Sequence, residues 1–264
     1  MKATVFLGGG RITGALLAGL RLAQCRRPIL VYDRHPSKLR QLKKLYGVGT
    51  EHDLRRAVEQ ARLLIIAVRP SSIAGLLGEI GELDRPLAAV SLAAGVPLAN
   101  LRLQLGPSVR WARAMPSPLC RNRRGLTALT FDSRFPATSR REIKKLFAKV
   151  GLILEIPERK MDAFTVTYSA SHGYHALAAL ATAGRKLGLD RPTAMTAAAH
   201  ALADAIAACR EGKVSLPVLL HEAATPGGTA AAVMDAMDHY GYQRAISRGL
   251  AAGLKRARKN AKQG

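Results

Sequence analysis

Three consecutive glycines early in the chain have the spacing of a phosphate-binding loop. They follow the apolar run ATVFL (3–7), which predicts a strand, and precede the helical pattern TGALLAGLRLAQ (13–24). Such a loop lets backbone N–H groups and a helix N-terminus approach a pyrophosphate. Thr13 replaces the usual third glycine, which weakens the pattern and leaves an ordinary strand-to-helix turn as the alternative. The positions expected to contact a dinucleotide here are Gly8, Gly10, Arg11 and Ile12.

An acidic residue follows the second predicted strand at the distance that dinucleotide binding requires. Asp33 lies 23 residues after Gly10, where a carboxylate bonds the ribose 2′-OH of NAD. Arg34, His35 and Lys38 follow at once, and Arg34 is suited to clamp the 2′-phosphate of NADP. Asp33 favours NAD and the cations favour NADP, so both stay open, with NADPH preferred because of the basic surroundings.

The hydrophobic pattern predicts an α/β fold with two domains. Strand-like and helix-like segments alternate up to about residue 156, which is typical of a doubly wound parallel sheet covered by helices. The continuous apolar run RLLIIAV (62–68) indicates a strand buried on both faces. From residue 162 the chain is rich in alanine and predicts long helices with a thin core. We therefore expect a nucleotide-binding domain over 1–161 and an all-α dimerisation and substrate domain over 162–264.

The net charge of +23 raises the possibility of a nucleic-acid partner, but its distribution argues against one. Residues 1–162 hold 29 Lys and Arg against 12 Asp and Glu, a net of +17 spread over many segments. Aromatic residues make up only 5%, too few for a stacking surface. A solvated basic surface that attracts anionic small molecules is the preferred interpretation.

Composition also excludes several other classes of protein. No apolar run is long enough to span a membrane, and the opening segment makes a poor signal peptide. Three widely spaced cysteines predict neither a disulfide framework nor a metal site, so we expect no metal and a cytoplasmic location.

Seven segments, in order along the chain, resemble the pyrroline-5-carboxylate reductases. Each resembles a motif of that family, and the resemblance extends over essentially the whole chain. The segments are GGGRITGALLAGL (8–20), AVRP (67–70), SLAAGVPLANL (91–101), RAMPSP (113–118) with Gly125 and Thr127 downstream, MDAFT (161–165), LGLDR (187–191) and TPGGTA (225–230). The resemblance implies a Rossmann domain, a helical domain that forms a homodimer or a larger assembly, and NAD(P)H-dependent reduction of a cyclic imine to proline.

The resemblance also assigns site residues. On the cofactor side it implies contacts from Ala67, Val68, Arg69, Pro70, Ala94, Met115, Pro116 and Ser117, with Met115–Ser117 following a strand over 108–114. On the substrate side, Thr225, Gly227, Gly228 and Thr229 would hold a carboxylate at a helix N-terminus. Helix capping by Thr225 or Thr229 is the alternative. Thr229 and His172 are the candidate catalytic residues, His172 as a proton donor or simply as a helix-face histidine.

Departures from the family pattern cluster on the substrate side. Ala230 replaces the second threonine after Pro-Gly-Gly-Thr, and Ser117 replaces an asparagine. The segment YSASHGY (168–174) lacks the family's Gly-Pro, and His172 and His175 occur there. A related oxidoreductase for another imine or keto acid, or a non-catalytic dinucleotide-binding protein, therefore stays open. Four arginines could receive a substrate with several carboxylates: Arg69, Arg113, Arg123 and Arg124.

Overall fold

The computed structural model describes residues 2–212 and 214–261, and these form two compact units. The first unit comprises the residues up to Val166 together with those from Gly253 onward, and the second comprises Thr167–Ala252. A search of the described residues for a membrane-spanning helix finds none with the required length and hydropathy.

An eight-stranded sheet forms the centre of the first unit. Its spatial order is β3-β2-β1-β4-β5-β6-β7-β8, and every neighbouring pair is parallel except β6 and β7. The order reverses between β1 and β4, the point at which doubly wound sheets bind ligands beyond the carboxyl ends of the strands. The strands are β1 Ala3–Leu7, β2 Ile29–Tyr32, β3 Gly49–Glu51, β4 Ala61–Ile66, β5 Leu87–Ser91, β6 Val109–Pro116, β7 Gly125–Phe131 and β8 Gly151–Glu155.

Helices cover both faces of this sheet because its strands are apolar on both sides. All five residues of β1 and of β5 are buried, as expected for central parallel strands. Alternate residues enter two separate cores: Phe6 packs into one and the fully buried Trp111 into the other. The helices that follow the strands are α1 Arg11–Leu22, α2 Pro36–Tyr46, α3 Leu54–Glu59, α4 Ile73–Ile80, α5 Leu98–Arg102, α6 Ala137–Ala148 and α7 Met161–Thr167.

The second unit is helical and buries few apolar side chains of its own. In its described part these are Ala181, Ala194 and Ala198, whereas Leu187 is 88% exposed and Tyr240 86% exposed. Helices whose large side chains face outward need another surface for stability. The helices are α8 Ser171–Lys186, α9 Arg191–Glu211, α10 Leu216–Ala223, α11 Thr229–His239 and α12 Tyr242–Ala261, whose last residues belong to the first unit.

Three features of the sheet differ from the sequence-based expectation. The short edge strand β3 was not predicted, because three residues without a buried face carry no periodic signal. The predicted strand over 62–68 ends at Ile66. The predicted strand over 108–114 continues to Pro116, so the expectation that Met115 and Pro116 follow the strand is wrong: they pair with Ala128 and Thr127 of β7.

Candidate functional site

The glycine loop connects β1 to α1 at the switch point of the sheet. Gly8 has a φ of +109°, and a Cβ built there would lie 2.7 Å from the carbonyl oxygen of Ala67. Only glycine fits this backbone conformation and this close approach. Gly8 therefore makes a tight turn directly against Ala67, the residue that follows β4.

Thr13 holds the loop closed instead of weakening it. Its side chain is fully buried, and its hydroxyl donates a hydrogen bond to the carbonyl oxygen of Gly8 at 2.5 Å. Close packing of α1 occurs further along the helix, where a Cβ at Gly19 would overlap the carbonyl of Cys120 in the 3-10 helix Pro118–Asn122. The hydroxyl of a threonine in the first turn of a helix can make this bond, but the sequence pattern alone did not predict it.

The N-terminus of α1 is open to an anion. Gly10 occupies the cap position, no side chain caps the helix, and a Cβ at Gly10 would meet no atom within 4 Å. Arg11 is exposed and Ile12 half-buried in the first turn. The first N–H groups of a helix have no partner inside it and carry its positive dipole end. This cradle fits a dinucleotide pyrophosphate.

Asp33 is held inside the structure by the loop around it. Its Oδ2 accepts a hydrogen bond from the N–H of Gly9 at 2.8 Å. Its Oδ1 accepts from the N–H of His35 at 2.9 Å and lies 2.8 Å from Nδ1 of the same residue. The Asp33 side chain is only 9% exposed. The carboxylate thus ties the end of β2 to the glycine loop, a function that its position in the sequence did not predict.

The groups around Asp33 favour the ionised form of its carboxylate. Burial alone would raise the pKa of Asp33, but hydrogen bonds from Gly9 and His35 and the charge of Lys38 outweigh it and lower the pKa. The Nζ of Lys38 lies 3.6 Å from Oδ2, and Arg34, His35 and Lys38 are all exposed. The charged groups of Arg34 and Lys38 therefore face solvent at the end of β2.

The other cofactor-side positions follow strands that are neighbours in the sheet. Because β1, β4, β5 and β6 are parallel, their carboxyl ends lie along one edge. The N–H of Ala67 donates to the carbonyl of Leu7 at 2.8 Å, which extends the β1–β4 ladder to the glycine loop. Positions placed along this edge are Ala67, Val68, Arg69 and Pro70 after β4, Ala94 after β5, Met115 and Pro116 at the end of β6, and Ser117 after it.

Two short 3-10 helices begin along this edge. Pro70 begins a 3-10 helix over Pro70–Ser72, with Arg69 at its cap position. The hydroxyl of Ser117 accepts a hydrogen bond from the N–H of Leu119 at 3.3 Å and caps the 3-10 helix Pro118–Asn122. Ser117 is thus a capping residue as well as a candidate cofactor contact.

Arg113 is not available to a substrate. Its side chain is only 3% exposed, and its guanidinium pairs with Glu158 at 3.3 Å and Asp162 at 3.1 Å. Arg123 donates from Nε to the carbonyl of Lys149 at 3.1 Å. The hypothesis that Arg113 receives a substrate carboxylate is therefore wrong, because two carboxylates of the chain already surround this buried cation.

In the second unit, the predicted substrate segment is a turn that opens a helix. The N–H of Gly228 donates to the carbonyl of Thr225 at 2.9 Å, and Gly227 has a φ of +76°. Gly228 is the cap residue of α11 and no side chain bonds to the cap. Neither Thr225 nor Thr229 caps this helix, so the alternative structural role for these threonines is wrong at α11.

The two histidines lie at the start of α8. His172 is half-buried and His175 exposed, three positions apart on the helix. They belong to the same unit as the Thr225–Thr229 turn, whereas the glycine loop and Asp33 belong to the first unit.

Comparison with known proteins agrees with both halves of this description. Residues 4–95 match the family model described as "NADP oxidoreductase coenzyme F420-dependent", and residues 158–260 match "Pyrroline-5-carboxylate reductase dimerisation". A pyrroline-5-carboxylate reductase of Thermus thermophilus is 32% identical, with 95% of each chain covered. The chain belongs to the pyrroline-5-carboxylate reductase family. A second relative, from Synechocystis, is 29% identical with 97% of each chain covered.

Solved structures of this family share the fold. The chain is similar to a pyrroline-5-carboxylate reductase from Coxiella burnetii, with a TM-score of 0.87, 24% identity and 98% of each chain covered. It is also similar to the Plasmodium falciparum enzyme with NADP bound, with a TM-score of 0.86, 18% identity and the same coverage. The predicted Rossmann sheet with a helical C-terminal region is confirmed, and the family member described here is an NAD(P)H-dependent oxidoreductase.

Proposed function

We propose that this family member transfers hydride from NADPH to the C=N carbon of pyrroline-5-carboxylate and releases proline. The observation that supports a small carboxylate as the substrate is the uncapped N-terminus of α11 at Gly228 and Thr229. It offers backbone N–H groups and hydroxyls to a small carboxylate, in a chain that belongs to this reductase family. When bound, NADPH supplies the hydride.

NADPH is proposed over NADH because of the state of Asp33. A carboxylate that binds a ribose 2′-OH must present its lone pairs outward, but this one accepts bonds from Gly9 and His35 and is almost buried. Arg34 and Lys38 are exposed beside it and suit a 2′-phosphate. We assign the pyrophosphate to Gly8, Gly10 and the first turn of α1, with Arg11 and Ile12 beside it.

The chain's own groups then orient the substrate and deliver a proton. Thr225, Gly227, Gly228 and Thr229 are proposed to bind the substrate carboxylate. An imine accepts hydride readily only when its nitrogen is protonated, so a donor near that nitrogen is needed. Thr229 and His172 are the proposed groups for this step, the hydroxyl as a hydrogen-bond donor and the imidazole as a proton source.

Assembly is proposed to be a homodimer through the helical part of the chain. The region 158–260 matches a dimerisation model, and the second unit exposes large apolar side chains such as Leu187, Leu216 and Ile206. A second copy would cover this surface. The domain boundary between residues 161 and 162 and the cytoplasmic location stay predictions.

Steady-state NADPH oxidation with pyrroline-5-carboxylate tests the proposal directly. We expect turnover with a higher kcat/KM for NADPH than for NADH, and proline as the product by chromatography. Ala230 and Ser117 favour a second candidate, a reductase for another cyclic imine or keto acid. Turnover of such a compound with none of pyrroline-5-carboxylate would select it. A chain whose melting temperature responds to neither NADPH nor NADH contradicts both.

A further inference from the structure

One carboxylate joins two segments of the nucleotide-binding edge that are distant in sequence. Oε1 of Glu158 accepts a hydrogen bond from the N–H of Leu98 at 2.5 Å. The same oxygen lies 3.3 Å from Nη1 of Arg113, whose Nη2 lies 3.1 Å from Oδ1 of Asp162. Glu158 therefore holds the start of α5 and the middle of β6 at a fixed separation.

Each of these partners lies close in sequence to a residue that the family resemblance places on the cofactor side. Leu98 begins α5, four residues after Ala94 in the loop that follows β5. Arg113 precedes Met115 by two positions on β6, so both side chains project from the same face of the sheet. A displacement of Glu158 would consequently be transmitted to both sides of this part of the edge.

Arg113 is the buried member of this arrangement, whereas Glu158 and Asp162 are partly exposed. Arg113 is 3% exposed, and a buried guanidinium keeps its charge only with well-placed carboxylates around it. Charge-assisted hydrogen bonds of this kind are strong and geometrically specific. Met161, between Glu158 and Asp162 in the chain, is fully buried and anchors the helix that follows. The segment 158–162 is thus fixed by packing as well as by charge.

We propose that Glu158 is a positioning residue for hydride transfer, acting through Arg113 and Leu98. It sets the distance between the Ala94 loop and the end of β6, two segments that would hold the nicotinamide end of NADPH. The proposal rests on the proposed function, since it assumes that this edge receives the cofactor. Hydride transfer is sensitive to small errors in donor–acceptor geometry, whereas binding of the rest of the dinucleotide is not.

Two variants separate the two connections of Glu158. Glu158→Ala removes both, and we expect kcat to fall by about tenfold or more while the NADPH dissociation constant changes by less than about twofold. Glu158→Gln keeps an oxygen for the N–H of Leu98 but offers no charge to Arg113, so an intermediate loss is expected. The primary isotope effect with 4-deuterated NADPH should rise in the order wild type, Gln, Ala, because hydride transfer becomes rate-limiting.

Asp132→Asn is the matched control. Asp132 pairs with Arg102 at the other end of α5, with Nε to Oδ2 at 2.7 Å. Removing that pair loosens the same helix but leaves the bonds of Glu158 to Leu98 and Arg113 in place, and we expect kcat and the isotope effect to stay at wild-type values. An equal loss of kcat in Asp132→Asn and Glu158→Ala, or wild-type kcat in Glu158→Ala, overturns the positioning role.

A readout without turnover separates this proposal from the proposed reaction. Trp111 is the only tryptophan of the chain, lies fully buried on β6 and can transfer excitation energy to bound NADPH. We expect Glu158→Ala at saturating NADPH to change the transfer efficiency and Asp132→Asn to leave it unchanged. Inactivity of the wild-type chain with pyrroline-5-carboxylate would contradict only the proposed reaction, whereas unchanged transfer in Glu158→Ala overturns the positioning role.

Discussion

The N–H of Gly9 donates a hydrogen bond to Oδ2 of Asp33 at 2.8 Å, joining the glycine loop to the end of the second strand. This contact changes the meaning of an acidic residue at that position. An acid at this position is expected to bond the ribose 2′-OH of the cofactor, but here it shapes the loop that we propose binds the pyrophosphate. Its loss should therefore affect both nicotinamide cofactors.

Asp33→Asn is expected to raise KM for NADPH and NADH alike and to lower stability by about 1–3 kcal/mol, because buried donors lose a charged acceptor. Steady-state kinetics with both cofactors and urea unfolding measure this. Asp53→Asn is the control: Asp53 accepts from the N–H of Arg56 at 2.9 Å at the start of α3, away from the loop. An increase in KM confined to NADH would restore the ribose-binding role.

The pH dependence of stability follows from the same residue. The folded-state pKa of Asp33 is lowered, so its contribution is present above its unfolded-state pKa of about 3.9 and is lost as the pH falls through the folded-state value. The difference in unfolding free energy between wild type and Asp33→Asn should therefore shrink as the pH falls below about 4. Urea titrations across that range measure it, and a pH-independent difference would contradict the assignment.

Cofactor preference should depend on Arg34. Removing its guanidinium with Arg34→Ala is expected to raise KM for NADPH by about tenfold or more and to leave KM for NADH nearly unchanged, because NADH has no 2′-phosphate. Arg40→Ala is the matched variant, as Arg40 is an exposed arginine of α2. Equal effects of the two substitutions would mean that only the general positive field matters.

Alanine substitutions at two glycines of the same loop should affect different properties, stability at Gly8 and cofactor affinity at Gly10. Gly8→Ala places a Cβ against the carbonyl of Ala67 at a φ of +109°, so the folded state should lose several kcal/mol. Gly10→Ala meets no atom, and stability should hold while NADPH affinity falls, because the methyl group enters the space proposed for the pyrophosphate. Thermal unfolding and fluorescence titration with NADPH separate the two. Wild-type NADPH affinity in Gly10→Ala would contradict the assignment of the pyrophosphate to this position.

The threonine that opens α11 should act on the substrate and not on stability. Thr229→Val removes a hydroxyl but not a helix cap, because Gly228 is the cap residue. We expect kcat/KM for pyrroline-5-carboxylate to fall by about tenfold or more with an almost unchanged melting temperature. Thr196→Val on the exposed face of α9 serves as control. A drop in melting temperature with unchanged kinetics would show that Thr229 contributes to stability and not to substrate binding.

Much of the architecture could be predicted from local signals. Parallel strands that are buried on both faces are continuously apolar, so β1 was predicted with its observed ends and β4 within two residues of them, and the change to long helices after residue 162 was predicted as well. The strand β3 carries no such signal, and the extension of β6 through Pro116 depends on pairing with β7.

The sequence by itself determined the glycine loop, the alternation of strands and helices, and the family motifs, since each is a local pattern of residue types. Only the tertiary structure decided that Asp33 holds the N–H of Gly9, that Thr13 closes the loop, and that Arg113 is buried between Glu158 and Asp162. Whether a charged side chain meets a ligand or another part of its own chain depends on burial and on partners far away in sequence. Residue type and spacing do not contain that information.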